Sequence, residues 1–205
     1  MTRNLLLCAL TLFCFALPGA NMQTSGYKVG DTVTDFKLKN VNGQFVSMKD
    51  NKNAKGYIIT FTCNECPYSK LYEDRLIALH NKYAPLGYPV IAINPNDPVA
   101  SPADSYELMQ QRARDKQFPF PYLVDDGQKI TRAYGATRTP HMYIVGKTGS
   151  KYTLHYIGAV DDNSRNENDV KKLYVEDAMT EILAGKPVTT NNTKAIGCTI
   201  KWRDS

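Results

Sequence analysis

Residues Gly30-Asp31-Thr32-Val33-Thr34-Asp35-Phe36-Lys37-Leu38 follow the two-residue rhythm of a half-buried strand, and Asn42-Gly43 marks a hairpin turn before Gln44-Phe45-Val46-Ser47. The run Tyr57-Ile58-Ile59-Thr60-Phe61-Thr62 is apolar enough for a central strand buried on both faces. From Pro67 to Ala84 the period changes: Leu71, Tyr72, Leu76, Leu79 and Tyr83 recur at helical spacing, with Pro67 at an N1-like position and Pro85 and Gly87 closing the helix. Pro89-Val90-Ile91-Ala92-Ile93-Asn94 is a second buried strand, so strand, helix and strand predict a right-handed parallel crossover.

Beyond it, Asn94 to Pro102 is an irregular loop, and Asp104 or Ser105 caps a helix running to Gln117. Pro119 to Val124 is a short strand and Lys129 to Tyr134 a short helix ended by Gly135. Met142-Tyr143-Ile144-Val145 and Tyr152-Thr153-Leu154-His155-Tyr156-Ile157 form a hairpin about the turn at Lys147-Thr148-Gly149-Ser150. Asp161 to Asp169 is a polar loop, and Val170 to Leu183 a last helix. The tail 188–205 is polar and gains order only by packing on the domain, with Ile196, Ile200 and Trp202 as anchors. The order predicts a three-layer α/β fold around a mixed sheet, helices on both faces.

Residues 1–20 stand apart from this pattern. Arg3 precedes an almost wholly apolar, uncharged run from Leu5 to Leu17, and Pro18-Gly19-Ala20 ends it. The run is too short to span a bilayer and reads as a secretory signal cut after Ala20, so the protein is expected in the periplasm or secreted, with no stable membrane insertion afterwards. Removing Arg3 lowers the formal charge from +5 to +4. The remaining charges are scattered and mixed in sign, which gives no support to nucleic-acid binding.

Of five cysteines, Cys8 and Cys14 leave with the signal, and Cys63, Cys66 and Cys198 remain. An odd number argues against a disulfide scaffold. Cys63-Asn64-Glu65-Cys66 lies between the buried strand and the helix beginning near Pro67. Two cysteines three positions apart there can close a short disulfide, and the helix N-terminus is expected to lower the pKa of the first thiol. Glu65 opposes thiolate formation at Cys63, while the helix dipole favours it by about 0.3–1 kcal/mol.

The chain resembles the thioredoxin fold and, within it, redoxins of the alkyl-hydroperoxide-reductase and thiol-specific-antioxidant group, in a peroxiredoxin-like branch with a thioredoxin-type cysteine pair. The resemblance rests on the strand Gly30 to Leu38, Phe61-Thr62-Cys63-Asn64-Glu65-Cys66-Pro67-Tyr68, Ala92-Ile93-Asn94-Pro95-Asn96-Asp97, Tyr134-Gly135-Ala136-Thr137-Arg138-Thr139-Pro140, and Gly197-Cys198-Thr199-Ile200-Lys201-Trp202. It implies a thioredoxin-like domain over residues 21–187. It also implies a thiol–disulfide oxidoreductase in which Cys63 attacks and Cys66 resolves. Thr139 and Pro140 bind substrate there, across a cis Thr139–Pro140 peptide beside the disulfide. The expected partners are protein or small-molecule thiols and disulfides together with a redox partner; no metal, flavin or nucleotide cofactor is needed. Oligomeric state and direction of transfer stay open.

Two other functions stay open. In a thiol peroxidase, Cys66 occupies the peroxide-reactive position and Cys63 replaces the threonine that helps hold peroxide. In a copper carrier, Cys63, Cys66 and His141 supply two thiolates and an imidazole. Cys198 either resolves a mixed disulfide or packs as a small apolar residue beside Ile200 and Trp202.

Overall fold

The computed structural model describes residues 26–203; the expected signal at 1–20 lies outside them. Eight strands form one sheet: β1 (Thr32–Val33), β2 (Lys37–Asn40), β3 (Phe45–Ser47), β4 (Gly56–Phe61), β5 (Val90–Asn94), β6 (Tyr122–Val124), β8 (His141–Thr148) and β9 (Lys151–Gly158). Their order is β1-β9-β8-β4-β5-β6-β2-β3, and β7 (Arg138–Thr139) pairs separately with β10 (Cys198–Thr199). The helices are α1 (Pro67–Tyr83), α2 (Tyr106–Asp115), α3 (Lys129–Tyr134) and α4 (Tyr174–Leu183).

All six residues of β4 are buried, because the strand is central and both its faces are covered. Ile58 projects into a core built with Tyr72, Leu76 and Leu79 of α1, Met109 of α2 and Val175 and Met179 of α4. Tyr57, Ile59 and Phe61 project to the other face, against Tyr134 of α3, Tyr143, Leu154 and Ile200. Each fully buried side chain of this size contributes roughly 1.5–3 kcal/mol. β4 and β5 run parallel, Ile58 opposite Val90 and Phe61 opposite Ile93, which is the crossover that the two apolar runs and the intervening helix predict. β8 lies antiparallel to β4, with His141 opposite Phe61. The end of β4 that leads into the cysteines is therefore also the end where β8 begins.

Three elements differ from the pattern reading. The alternating run at 30–38 is two strands, since β1 pairs with β9 at one end of the sheet and β2 with β6 and β3 at the other. The last helix starts at Tyr174 rather than Val170, because the preceding residues fold back: Asp162 N–H donates to Lys172 O and Lys171 N–H to Asp162 Oδ1. The tail supplies a strand, β10, as well as the expected anchors Ile200, which is buried, and Trp202, whose ring lies 4.5 Å from the Arg132 guanidinium. Ile196 is exposed. Among the described residues no helix is long and apolar enough to cross a membrane.

Candidate active site

Thr62 holds the last rung of the β4–β5 ladder, its N–H donating to Ile93 O at 2.9 Å. The chain then turns through Cys63, Asn64 and Glu65 before α1 starts at Pro67. Proline suits that first position because its missing N–H would have no helical partner. The turn is pinned from the side. Asn64 N–H donates to Asp104 Oδ1 at 2.6 Å, Asn64 Nδ2 to Ala103 O at 2.9 Å, and Asn64 Oδ1 accepts from Tyr122 Oη at 3.0 Å. Asp104 is buried and collects Asn94 Nδ2, Asn96 Nδ2 and Ser101 Oγ as well. Glu65 is exposed, its Oε2 2.9 Å from Ser101 Oγ, whose single proton goes to the nearer Asp104.

Cys66 is the N-cap of α1, with φ −60° and ψ 122°. The helix begins at Pro67 as the sequence predicts, so the capping residue is Cys66, whereas the sequence reading expects the helix N-terminus to lower the pKa of Cys63. The Cys66 thiol is pulled down to about 4, first by a hydrogen bond from Cys63 and then by Cys198 and the Ser69 amide, against the opposing effect of burial. Cys63 is pushed up, by that same hydrogen bond with Cys66, by burial and by the nearby Asp104 carboxylate. Two interacting thiols lose their first proton as a pair, and the hydrogen bond from Cys63, followed by the Ser69 and Cys198 amides, favours placing that charge on Cys66.

Both sulfurs reach the segment before Pro140. Cys63 Sγ lies 3.2 Å from Thr139 Oγ1 and 3.9 Å from Ser69 Oγ, while Cys66 Sγ lies 3.1 Å from Thr139 O, a hydrogen bond that only its protonated form makes. Thr139 is fully buried and its peptide to Pro140 is cis. Cys63, Cys66, Thr139 and Pro140 therefore converge. Among the described residues all three cysteines are free, and Cys198 Sγ lies 2.6 Å from Cys66 Sγ.

His141 enters β8 beside the site but faces elsewhere. Its Nδ1 accepts from Thr137 N–H at 3.4 Å and lies 3.3 Å from Tyr143 Oη, and burial lowers its pKa to about 4. Among the described residues no group of three or more His, Cys, Asp or Glu side chains could hold a metal ion. The Cys63, Cys66 and His141 set that a copper carrier requires does not come together. Pattern reading treats Asp104 only as a candidate helix cap, and Ser105 takes that role by accepting from Leu108 N–H. Three of the donors on Asp104 come from the segment just before it and the fourth from the cysteine turn forty positions away, a convergence that periodicity does not reveal.

A mixed sheet with helices on both faces, a two-cysteine turn after the central strand and a cis proline opposite it define a thioredoxin-fold redoxin. Residues 29–150 match the AhpC/TSA family, and the chain belongs to that family. A crystal structure of an uncharacterized conserved protein from Geobacillus kaustophilus is 36% identical over 87% of this chain and 94% of its own, with a TM-score of 0.79. A hypothetical protein from Sinorhizobium meliloti 1021 is 31% identical over 88% of this chain and 98% of its own, with a TM-score of 0.80. Among curated proteins, the thiol-disulfide oxidoreductase ResA of Halalkalibacterium halodurans is 24% identical over 135 residues, 65% of this chain and 72% of that protein.

Proposed function

We propose that the protein is an exported thiol–disulfide oxidoreductase that cycles Cys63 and Cys66 between dithiol and disulfide, using protein or small-molecule thiols and disulfides and a separate redox partner. The observation that carries this reading is the contact of both free sulfurs with Thr139 at the junction of β4 and α1. The curated relative's name and the family fold support the same chemistry. The apolar run within residues 1–20 supports export.

In the reducing direction the Cys66 thiolate attacks a substrate disulfide, one substrate sulfur leaves as thiolate, and a mixed disulfide forms. Cys63 then gives up its proton and attacks Cys66 Sγ, the second substrate sulfur leaves, and the Cys63–Cys66 bond remains. The reverse sequence oxidises a dithiol. The family resemblance gives the first attack to Cys63; the helix-capping position and depressed pKa of Cys66 support the opposite order. Thr139 supplies the backbone edge along which an extended substrate pairs.

Capture in the native compartment tests both parts, with Cys63→Ser and Cys66→Ser each made in a chain that also carries Cys198→Ser. The first variant is expected to accumulate mixed disulfides through Cys66, the second far fewer through Cys63. The reading fails if neither captures a partner and the unmutated protein does not reduce insulin disulfides.

One observation favours a second reading. A thiolate held by the first turn of a helix is also what a thiol peroxidase uses, and Cys66 has it. Sulfenic acid on Cys66 of the Cys63→Ser protein, with peroxide consumed at the expense of a thiol donor, would move the assignment there.

A further inference from the structure

The last strand of the chain occupies the edge that a substrate would use. β10 pairs antiparallel with β7, Cys198 opposite Thr139 and Thr199 opposite Arg138. Cys198 N–H points at Cys66 Sγ at 3.4 Å, and the two sulfurs are 2.6 Å apart. That separation is well inside ordinary sulfur contact and about half an ångström beyond a bonded pair.

The approach is built into the chain on both sides of the cysteine. Before it, a Cβ on Gly197 would lie 2.1 Å from Thr139 O, so only glycine admits the strand at this distance. After it, Ile200 is buried, Lys201 O accepts from Asp97 N–H and Gln128 Nε2, both at 2.9 Å, and Arg203 pairs with Asp97 and Asp126.

We propose that Cys198 is a third redox residue, presented to Cys66 as a built-in substrate sulfur, and that the disulfide migrates between Cys63–Cys66 and Cys66–Cys198. This rests on the cycle proposed above, which supplies the first disulfide. In the exchange the Cys198 thiolate attacks Cys66 Sγ. The Cys66–Cys198 bond forms as the Cys63–Cys66 bond breaks, Cys63 leaves with the electron pair, and Cys63 takes up the proton Cys198 released. One disulfide replaces another with no net oxidation. Burial and the neighbouring Cys66 hold the Cys198 thiol up at about 11 in the dithiol state, while Lys201 and Arg138 act against them. Bonding Cys66 to Cys63 removes the charge of Cys66 and so one barrier to ionising Cys198.

The test equilibrates the reduced full chain and its variants with oxidised glutathione, blocks free thiols and maps disulfides by peptide mass spectrometry. Cys63→Ser is expected to close an intramolecular Cys66–Cys198 bond, losing two free thiols per chain independently of protein concentration. Adding Gly197→Ala to it is expected to slow closure at least fivefold. The unmutated protein is expected to yield both isomers, one with Cys198 free and one with Cys63 free. If Cys198 of folded Cys63→Ser stays a free thiol, or bonds only between molecules, the exchange is refuted alone. If Cys198→Ser cannot close Cys63–Cys66, the proposed cycle fails, and the exchange with it.

Discussion

Replacing Asp104 with alanine removes one carboxylate on which four donors converge: Asn64 N–H at 2.6 Å, Ser101 Oγ at 2.7 Å, Asn96 Nδ2 at 2.8 Å and Asn94 Nδ2 at 3.1 Å. At roughly 1.5–3 kcal/mol for a hydrogen bond to a charged group, a plain sum would exceed 6 kcal/mol. The sum overshoots, because the buried carboxylate regains its water on unfolding and the Asn64 side chain keeps Ala103 O and Tyr122 Oη as partners. The expected loss is roughly 3–4 kcal/mol, since each donor left buried without a partner costs about 1–3 kcal/mol and the regained carboxylate hydration offsets part of it. Urea unfolding of the reduced protein measures it. Asp104 also contributes to the raised Cys63 pKa, behind the hydrogen bond with Cys66 and burial. Asp104→Asn keeps the shape and removes the charge. In a chain whose only other change is Cys66→Ser with Cys198→Ser, the pH profile of Cys63 alkylation should then move down. A stability loss below about 1 kcal/mol would refute the network argument, and an unmoved or rising profile would refute the electrostatic one.

Reduced protein should keep its ultraviolet thiolate absorbance well below the ordinary cysteine range, because Cys66 is lowered by its contact with Cys63, and Cys66→Ser should abolish that low-pH signal. His141 titrates near 6.5 when unfolded and near 4 when folded, so between those values the unfolded chain binds more protons and stability falls as pH drops. The loss through this residue is roughly 3 kcal/mol, and His141→Gln should flatten that part of the urea-midpoint profile. Glu73 is buried and receives Arg112 through two bonds, at 2.6 and 2.7 Å, with Lys116 at 3.4 Å. Glu73→Ala should cost about 3 kcal/mol in urea unfolding.

What could be read from the amino acids follows from how far each signal reaches along the chain. β4, α1 and β5 were legible because each presents an unbroken period of its own, and their order fixes the crossover that puts the cysteine turn at a strand end. Thr139-Pro140 was legible as the place for a cis peptide because few other residues adopt one. The ownership of the thiolate was not, since it turns on which sulfur the Ser69 and Cys198 amides face, a contact that motif spacing does not show. β7 and β10 were invisible for a different reason: a ladder of two residues has no period, and its partners lie about sixty positions apart. Asp104 shows the same limit in a polar setting: the cysteine turn, forty positions away, meets the preceding segment on a side chain that locally looks like a cap.

A chain that lays its own end along the Thr139 edge carries a tethered competitor for every polypeptide visitor. Such a tether acts at an effective concentration of roughly millimolar when its length suits the span. An incoming strand must therefore outbid the Gly197–Ile200 segment before its sulfur meets Cys66, whereas a small thiol need not lift that segment along its whole length. Selection of clients in this protein would then be set by how firmly Ile200 and Arg203 hold, as much as by the sulfur chemistry beneath them.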